Sequence, residues 1–171
     1  MNQNLEGSTW RYLNREYGIQ INKISDYFAK EKVKEEGNAD LGEITFQSIR
    51  DVDDIFGPEC TIKINWEKKD PTQYHHGLKV KDTIRMFSSI NVVITKKETR
   101  WHLSHEMTYW LGRKQKMERG RYYQTSVIHG IVFCELTNRL FEVHAEVFAK
   151  YYENYKPLIM QVLETLQCHA S

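Results

Sequence analysis

The sequence lacks any long apolar run, and this absence excludes one class of protein. A helix that crosses a membrane needs about 18 or more consecutive apolar residues, and the 171 residues contain no such run. The first eight residues also have neither the basic nor the apolar region of a secretory signal peptide. The sequence therefore predicts a cytoplasmic protein that has no membrane partner.

A marked excess of positive charge is missing as well. Lysine and arginine total 24 against 23 for aspartate and glutamate, which gives a net charge of +1. Proteins dedicated to nucleic acids or to anionic membranes need a large excess of Lys and Arg. The charge balance therefore predicts that nucleic acid is not a partner.

Basic residues nonetheless cluster around one predicted hairpin and form a candidate contact patch. The patch consists of Arg113, Lys114, Lys116, Arg119 and Arg121. Phosphate contacts combined with base stacking on neighbouring tyrosines are one use of such a patch, but charges at a hairpin tip also keep a strand edge soluble. We favour the second role and expect no measurable nucleic-acid binding at physiological salt. Micromolar binding that disappears when these residues become glutamate would contradict this expectation.

Signatures of familiar enzymes are absent too. The sequence has no Gly-x-Ser-x-Gly elbow, no Walker loop and no glycine-rich dinucleotide turn. Its three cysteines, Cys60, Cys134 and Cys168, are an odd and widely spaced set, unlike a secreted disulfide framework. Cys134 with His129 or His144 is a candidate nucleophile and base, but a buried cysteine usually acts as a small hydrophobe. The sequence therefore predicts a noncatalytic protein without a cofactor.

The clearest pattern of strands lies in the last third of the chain. Residues 127–134 are apolar at nearly every position, which predicts a central strand covered on both faces. The pair Thr137-Asn138 follows and predicts a tight turn, because Asn tolerates left-handed backbone. Residues 139–147 alternate between apolar and polar side chains, which predicts a half-exposed strand nearer an edge of the sheet.

A helical period replaces this alternation from Phe148 onward. One apolar stripe contains Phe148, Tyr151, Tyr152, Tyr155, Leu158, Ile159, Val162, Leu163 and Leu166. Such a stripe predicts a long C-terminal helix that packs on the sheet. Pro157 lies off the stripe, and it either kinks the helix or begins a second helical segment.

The upstream sequence supplies the remaining elements. Residues 60–67 alternate regularly and predict a half-buried strand, while residues 78–88 predict a helix. Further strands are predicted at residues 9–13, 17–21, 41–48, 91–95 and 101–111. The pattern favours an α/β sandwich dominated by antiparallel pairs. The length fits a single domain over residues 1–171.

The order of these elements resembles the Mog/PsbP-like superfamily. The resemblance lies in Trp10 with Tyr17-Gly18-Ile19 at the start, in Phe133-Cys134 and Asn138-Arg139-Leu140-Phe141 in the meander, and in the closing Cys168-His169. That superfamily contains the photosystem subunit PsbP and import factors that bind the GTPase Ran. The resemblance implies an α/β/α sandwich with a central, mostly antiparallel sheet. It also implies a noncatalytic module that binds a protein partner, which is the leading hypothesis.

A metal-binding protein or metal-dependent enzyme is the first alternative, and it uses His102, His105 and Glu106, or the loop pair His75-His76. The spacing is not that of the helical zinc signature His-Glu-x-x-His. In a strand, the period of two sends His102 and Glu106 to one face and His105 to the other. Two ligands at most would therefore converge from this segment. A further alternative is a small-ligand pocket between sheet and helix, lined by Trp66, Trp101 and Trp110.

The two cysteines that bracket the last third are predicted to lie close together. The strand after the turn runs about 30 Å along the sheet at 3.3 Å per residue, and the helix returns about 30 Å at 1.5 Å per residue. These lengths cancel if the helix packs over the meander, so we expect Cα atoms of Cys134 and Cys168 within roughly 10 Å, whereas a disulfide needs about 7 Å or less. Paired free thiols beside Leu166 are expected in a reducing compartment. A bridge in an oxidising compartment and His169 as a co-ligand remain alternatives.

Overall fold

A seven-stranded sheet forms the centre of the protein in the computed structural model, which describes residues 7–169. This part of the chain contains twelve strands: β1 (Thr9–Asn14), β2 (Ile19–Ser25), β3 (Lys34–Gly37), β4 (Leu41–Gln47), β5 (Asp51–Asp53), β6 (Gly57–Pro58), β7 (Cys60–Lys68), β8 (Val92–His102), β9 (His105–Glu118), β10 (Arg121–Cys134), β11 (Arg139–Phe148) and β12 (Leu166–Gln167). Two α-helices accompany them, α1 (His76–Ser89) and α2 (Tyr152–Thr165). Short 3-10 helices span Lys30–Lys32 and Ala149–Tyr151.

The strands of the large sheet follow the order β3-β4-β7-β11-β10-β9-β8. Every neighbouring pair in it is antiparallel. A smaller sheet joins β1, β2 and β12, with β2 in the middle, and β5 pairs with β6 as a separate ribbon. The last four long strands form a meander, because each one pairs with the next along the chain.

Two clusters of buried side chains show that both faces of the large sheet are covered. On one face, α2 and the smaller sheet pack against alternate residues of the strands; this cluster includes Ile19, Ile21, Ile44, Ile64, Met107, Ile128, Phe141, Val143, Leu158, Ile159 and Leu163. On the other face, α1 packs against a smaller set, which includes Val80, Phe87, Trp110, Val127, Ile131 and Leu140. The predicted α/β/α sandwich with a central, mostly antiparallel sheet is confirmed. The smaller sheet shares its layer with α2.

The position of β11 differs from the sequence prediction. Strand β10 is buried from Thr125 to Cys134 and lies between β9 and β11, as its continuous apolar run predicts. Strand β11 was expected nearer an edge, but it is the middle strand of the seven. Its polar side chains are only partly exposed, because α1 covers them: Phe87 stacks on His144, and Lys79 forms an ion pair with Glu142. The alternation of apolar and polar residues in β11 therefore arises because its polar side chains pack beneath α1, and not because they face solvent.

A tight hairpin interrupts the strand predicted over residues 101–111, and that prediction is wrong. Leu103 and Ser104 have φ angles of 46° and 69°, the left-handed pair that a two-residue type I′ turn requires. Strand β8 therefore ends at His102, and β9 begins at His105. The turn was hidden in the sequence because neither residue is the Gly, Asn or Asp that usually marks it.

Two boundaries around the last hairpin also differ from prediction. Cys134 pairs with Arg139, so the turn between β10 and β11 has four residues, although Asn138 does adopt the expected left-handed backbone with φ of 53°. Strand β11 continues through Phe148, and α2 begins at Tyr152 after the 3-10 turn. Pro157 lies inside α2, which continues past it.

Helix α2 carries the chain back along the sheet to the end at which β11 begins. Its buried residues are Tyr155, Leu158, Ile159, Val162 and Leu163. Strand β12 then pairs with β2 through Leu166 and Ile21, which places the following residues beside the end of β10. Within residues 7–169, neither helix is long and apolar enough to cross a membrane.

Close packing at Gly42 gives a first testable prediction. A Cβ atom there would lie 2.6 Å from the backbone oxygen of Glu36 and closer still to a ring carbon of buried Trp66. We expect Gly42→Ala to lower the free energy of unfolding by about 1–3 kcal/mol, because neither neighbour can move freely. Gly77→Ala is the matched control: nothing lies within 4 Å of its Cβ, and alanine favours α1 by up to about 1 kcal/mol. Urea denaturation in which Gly42→Ala is as stable as wild type would contradict this packing.

Candidate metal centre

The register of the sheet places His105 beside Cys134. Strands β9 and β10 form a hairpin whose last paired residues at this end are Met107 and Val132. Two residues further along each strand, the same register sets His105 opposite Cys134. Side chains two apart share a face, so both project toward the face covered by α2, as Met107 and Val132 do.

The return of α2 brings two further donors to the same place. Cys168 and His169 follow β12 directly. The guanidinium of Arg139 donates a hydrogen bond of 2.6 Å to the backbone oxygen of Cys168, which ties this segment to the start of β11. The predicted neighbours Cys134 and Cys168 thus lie together, and both are free thiols. The lengths of β11 and α2 explain why.

Four ligand atoms converge at this point. One donor atom each from His105, Cys134, Cys168 and His169 lies within 4.8 Å of every other. The Nδ1 atom of His169 is 3.6 Å from the sulfur of Cys134 and 3.3 Å from that of Cys168. In a tetrahedral zinc site with bonds of about 2.3 Å to sulfur and 2.0–2.1 Å to nitrogen, a sulfur and a nitrogen lie about 3.6 Å apart. These separations match a two-cysteine, two-histidine metal site.

The buried histidine of the cluster, His105, has an imidazole ring without hydrogen bonds to the other described residues. His105 is only 6% exposed, and neither of its ring nitrogens has a hydrogen-bond partner among the described residues. A buried polar atom left without a partner costs about 1–3 kcal/mol. A metal ion bonded to one nitrogen would relieve that cost, so His105 is the strongest sign of a ligand site here.

The hydrogen bond between the two cysteines favours a thiolate at Cys134. The hydrogen bond with Cys168 lowers the pKa of Cys134 to about 4 against the effect of burial, and Thr137 and His169 contribute in the same direction. The hydrogen bond with Cys134 and burial together raise the pKa of Cys168 well above its usual range. Cys134 is therefore the more acidic thiol of the pair, and the thiolate is the form that binds metals.

A buried arginine balances this charge. Arg139 is 4% exposed, and within residues 7–169 it has no carboxylate in salt-bridge contact. Its guanidinium donates to the backbone oxygens of Tyr17, Gly18, Ala39 and Cys168 and to the hydroxyl of Thr137. Burial lowers the pKa of Arg139, whereas the Cys134 and Cys168 sulfurs raise it. Arg139 therefore holds the turns around the cluster and compensates its thiolate charge.

The metal ligands predicted from residues 102–106 are not brought together. His102 pairs directly with His105 across the tight hairpin, so the two share a face, contrary to prediction. His102 instead bonds to the backbone oxygen of Leu166 through Nε2, at 2.8 Å. Glu106 is exposed on the opposite face. Of the three, only His105 reaches the cluster, because the turn at Leu103-Ser104 changed which residues face each other.

The basic patch is divided between the two faces of β9 and its turn. Lys114 and Lys116 project to the α1 face, where Lys116 forms an ion pair with Glu146. Arg113 projects to the α2 face, as the period of two requires. Arg119 and Arg121 are exposed at the turn. The five cations therefore do not form one continuous surface on the sheet.

The three tryptophans do not line a common pocket, so the predicted small-ligand site is not formed. Trp66 is buried against the α2 face, and Trp110 is buried against the α1 face. Trp101 is 76% exposed near the β8–β9 turn. The side chains of Trp66 and Trp110 project from opposite faces of the large sheet, which the sequence alone does not reveal.

The imidazoles proposed as bases for Cys134 lie on the other side of the sheet. His129 and His144 pair across β10 and β11 beneath α1, with their Nδ1 atoms 3.1 Å apart. Cys134 faces α2, so the candidate nucleophile–base pair is excluded. His129 bonds instead to Glu142 at 3.1 Å, and Lys79 of α1 lies 2.5 Å from the same carboxylate.

This network gives a prediction about acid stability. Burial raises the pKa of Glu142, but His129 and Lys79 outweigh it and lower the pKa to about 2. A depressed carboxyl pKa contributes stability above its unfolded value of about 4.5, and the contribution is lost as the pH falls through the folded value. We expect Glu142→Gln to lower the free energy of unfolding at pH 7 by on the order of 3 kcal/mol. The difference should shrink below pH 4.5 and vanish near pH 2.

Urea denaturation of both proteins over this pH range measures the effect. Lys79→Met provides a second variant, since it removes the cation from the same carboxylate. A stability difference between wild type and Glu142→Gln that stays constant from pH 7 to pH 2 would contradict the assignment.

Comparison with known proteins places the fold in the PsbP-like class. No model of a known protein family matches the sequence, and no curated protein matches it. Solved structures do share the fold. The solution structure of cyanobacterial PsbP (CyanoP) from Synechocystis superposes with a TM-score of 0.62 and 10% sequence identity, covering 98% of this chain and 96% of that one. The resemblance seen in the sequence is therefore confirmed at the level of fold.

Two further structures have the same architecture. LpqN of Mycobacterium tuberculosis, described as involved in cell envelope biogenesis, gives a TM-score of 0.59 at 10% identity and covers 96% of this chain and 86% of its own. PA94 of Pseudomonas aeruginosa, a protein of unknown function described as a putative regulator, gives 0.56 at 10% identity, with 93% and 96% covered. At this identity the likeness concerns fold alone.

Proposed function

We propose that this protein is a noncatalytic metal-binding domain of PsbP-like fold, which holds one zinc ion between His105, Cys134, Cys168 and His169. The observation that carries the proposal is the buried, unpartnered ring of His105, which faces two thiols and a second imidazole. Thiolate and imidazole donors in a tetrahedral arrangement suit zinc among the common metal ions.

The charges of the site support a divalent ion. Two cysteine thiolates neutralise a divalent ion, and the neighbouring Arg139 leaves one positive charge near the cluster. The ion would lower the pKa of Cys168 as well, because a coordinating thiol is deprotonated outright. Both cysteines are free in the structure, and we propose the cytoplasm as the compartment because its thiols are kept reduced.

A structural or regulatory role is proposed in place of catalysis because the protein fills the ion's coordination. Catalytic zinc sites usually have three protein ligands and leave the fourth position to water or substrate. Here four side chains converge. The ion would join the β9–β10 hairpin to the segment after β12 and thereby fix the end of the smaller sheet against the large one.

Metal analysis tests the proposal. Protein expressed without a histidine tag is dialysed and its metal content is measured against protein concentration. We expect about one zinc per chain in wild type and in Cys60→Ala, whose cysteine lies at the far end of β7. Protein that retains no zinc after dialysis, and takes up none when apoprotein is titrated under reducing conditions, would contradict the proposal.

Binding of a protein partner is a second candidate, favoured by exposed apolar side chains beside the metal centre. Trp101 and Leu103 are 76% and 50% exposed at the β8–β9 turn, and Leu136 is 72% exposed in the β10–β11 turn. Both turns lie at the end of the sheet that carries the cluster. Exposed apolar groups that are close together often mark interaction sites.

The double variant Trp101→Ser, Leu136→Ser tests this role. Partners are first isolated by cross-linking to the wild-type protein in its native cells, and each purified partner is then titrated against both proteins. We expect the variant to keep its zinc and to lose affinity for the partner. Equal affinity of both proteins would exclude this surface.

A further inference from the structure

The four donors of the metal centre differ in how firmly they are held. His105, Cys134 and Cys168 are buried, with 6%, 0% and 4% of their surface exposed. His169 is exposed. Three donors therefore sit in the protein interior, and solvent reaches the cluster on the side of the fourth.

His169 is also attached less firmly than the others. It lies two residues beyond Gln167, where the pairing of β12 with β2 ends. Within residues 7–169, its side-chain contacts include the two thiols, at 3.3 and 3.6 Å, and the ring of His105, whose centroid is 5.8 Å away. All three are members of the cluster. Displacing the imidazole would therefore break no strand pairing.

The backbone nearby keeps the other donors in place without it. Arg139 holds the backbone oxygen of Cys168, and buried Cys168 precedes His169 directly. His105 and Cys134 lie on paired strands of the large sheet. A metal ion bound to these three would remain in position when the fourth bond opens, since their geometry does not depend on His169.

We propose that His169 is a displaceable ligand, and that the bound metal ion exchanges it for a thiolate or imidazole donor of an incoming molecule. This inference rests on the proposed metal-binding function. The incoming donor would form a metal–sulfur or metal–nitrogen bond as the bond to Nδ1 of His169 breaks, so the number of bonds to the ion is the same before and after the exchange. An incoming thiol releases its proton to solvent on binding, and the released imidazole of His169 takes no part in the proton balance. No change of oxidation state is involved.

Such a site would pass its ion to another soft donor or form a mixed complex with it. Zinc prefers thiolate and imidazole among protein donors, so the incoming group belongs to one of these classes. Among residues 7–169, His169 is the exposed member of the cluster and the other three donors are enclosed, so the incoming group approaches from the side of His169. The exchange therefore has a single direction of entry.

Cobalt(II) in place of zinc gives a spectroscopic test with imidazole as the probe. We compare wild type with His169→Ala, His105→Ala and the control His75→Ala, whose ring is exposed in the loop before α1. Thiolate-to-cobalt charge-transfer bands report metal binding, and the d–d bands report the fourth ligand. Circular dichroism confirms that each variant is folded.

We expect His169→Ala to retain the charge-transfer bands with an affinity lower by about 10–100-fold, no more than the loss of a residue that merely supports a ligand, because three buried donors still hold the ion. Added imidazole should restore the tetrahedral d–d spectrum of His169→Ala and should compete with His169 in wild type at higher concentration. His105→Ala should lose far more affinity, and imidazole should not rescue it because the cavity it leaves is enclosed.

The outcomes separate the two proposals. If cobalt binds wild type through thiolates but His169→Ala loses it as completely as His105→Ala without rescue, His169 is a fixed ligand and the exchange is overturned. A His169→Ala spectrum identical to that of wild type would also overturn it, since His169 would then not be a ligand. If no thiolate-to-cobalt band appears in wild type, both the proposed metal-binding function and the ligand exchange are contradicted.

Discussion

Replacing Cys134 with serine should lower the affinity for zinc by more than about 100-fold, because changes to residues that merely support a ligand already cost about 10–100-fold. Cys134 is the more acidic thiol of the cysteine pair, with a pKa lowered to about 4. A serine hydroxyl of similar size remains protonated at neutral pH and is a poor ligand for zinc. The loss of zinc affinity should therefore come from the missing thiolate ligand rather than from a change in packing.

The effect should also appear as a loss of zinc-dependent stability. An ion that binds only the folded state stabilises it by about 2.7 kcal/mol when its free concentration is 100 times the dissociation constant. Wild-type protein should therefore melt at a higher temperature with zinc than with a chelator, whereas Cys134→Ser should melt at nearly the same temperature in both. Cys60→Ser is the matched control, since Cys60 is equally buried but lies at the other end of the α2 face.

Wild-type and Cys134→Ser proteins that show the same zinc-dependent shift in melting temperature would contradict the assigned ligand. Apoprotein measurements separate this result from a folding defect. Without zinc, the free energy of unfolding of the serine variant should be lower than that of wild type by no more than about 1–3 kcal/mol, the cost of one poorly satisfied buried polar group.

Part of this site could be predicted from the sequence. The turn at Arg119-Gly120 fixes the pairing of β9 with β10, and counting back from it sets His105 opposite Cys134. The matched lengths of β11 and α2 return Cys168 to the same end. Both steps use only the regular rise of strands and helices, which is why they transfer from sequence to structure.

The choice of faces could not be predicted in the same way. The left-handed turn at Leu103-Ser104 contains no residue that marks such a turn, so one strand was predicted where two exist. That error placed His102 on the wrong side of the sheet, whereas Glu106 lies on the opposite face from His105, as predicted. Similarly, the alternation in β11 was interpreted as exposure, because the partners of Glu142 and His144 come from a helix distant in sequence.

Arg139 escaped prediction altogether. In the sequence it is a polar residue at a turn, and such residues are usually exposed. In the structure it is one of the few buried cations, and its hydrogen bonds join segments from the β1–β2 turn to the chain after β12. Only the tertiary arrangement assembles those carbonyl groups around one point.

Replacing Arg139 with methionine should lower the free energy of unfolding by on the order of 3–5 kcal/mol, the range seen when one partner of a buried charged contact is removed. The change would leave the backbone oxygens of Tyr17, Gly18, Ala39 and Cys168 without this donor. Each buried acceptor that loses its partner costs about 1–3 kcal/mol, although water can satisfy some of them. Methionine fills much of the same volume, so packing contributes little.

Urea denaturation of the apoprotein measures this effect apart from the metal, and two further variants define its cause. Arg139→Lys keeps the charge but has three donors in place of five and no planar fork, so its stability should lie between those of wild type and Arg139→Met. Arg15→Met removes an exposed arginine and should change stability by no more than about 0.5 kcal/mol. If Arg139→Met were as stable as Arg15→Met, Arg139 would not join these segments. Zinc titration of the Arg139 variants should also show an affinity lower by about 10–100-fold, because Cys168 loses the contact that holds it and the thiolates lose their nearest positive charge.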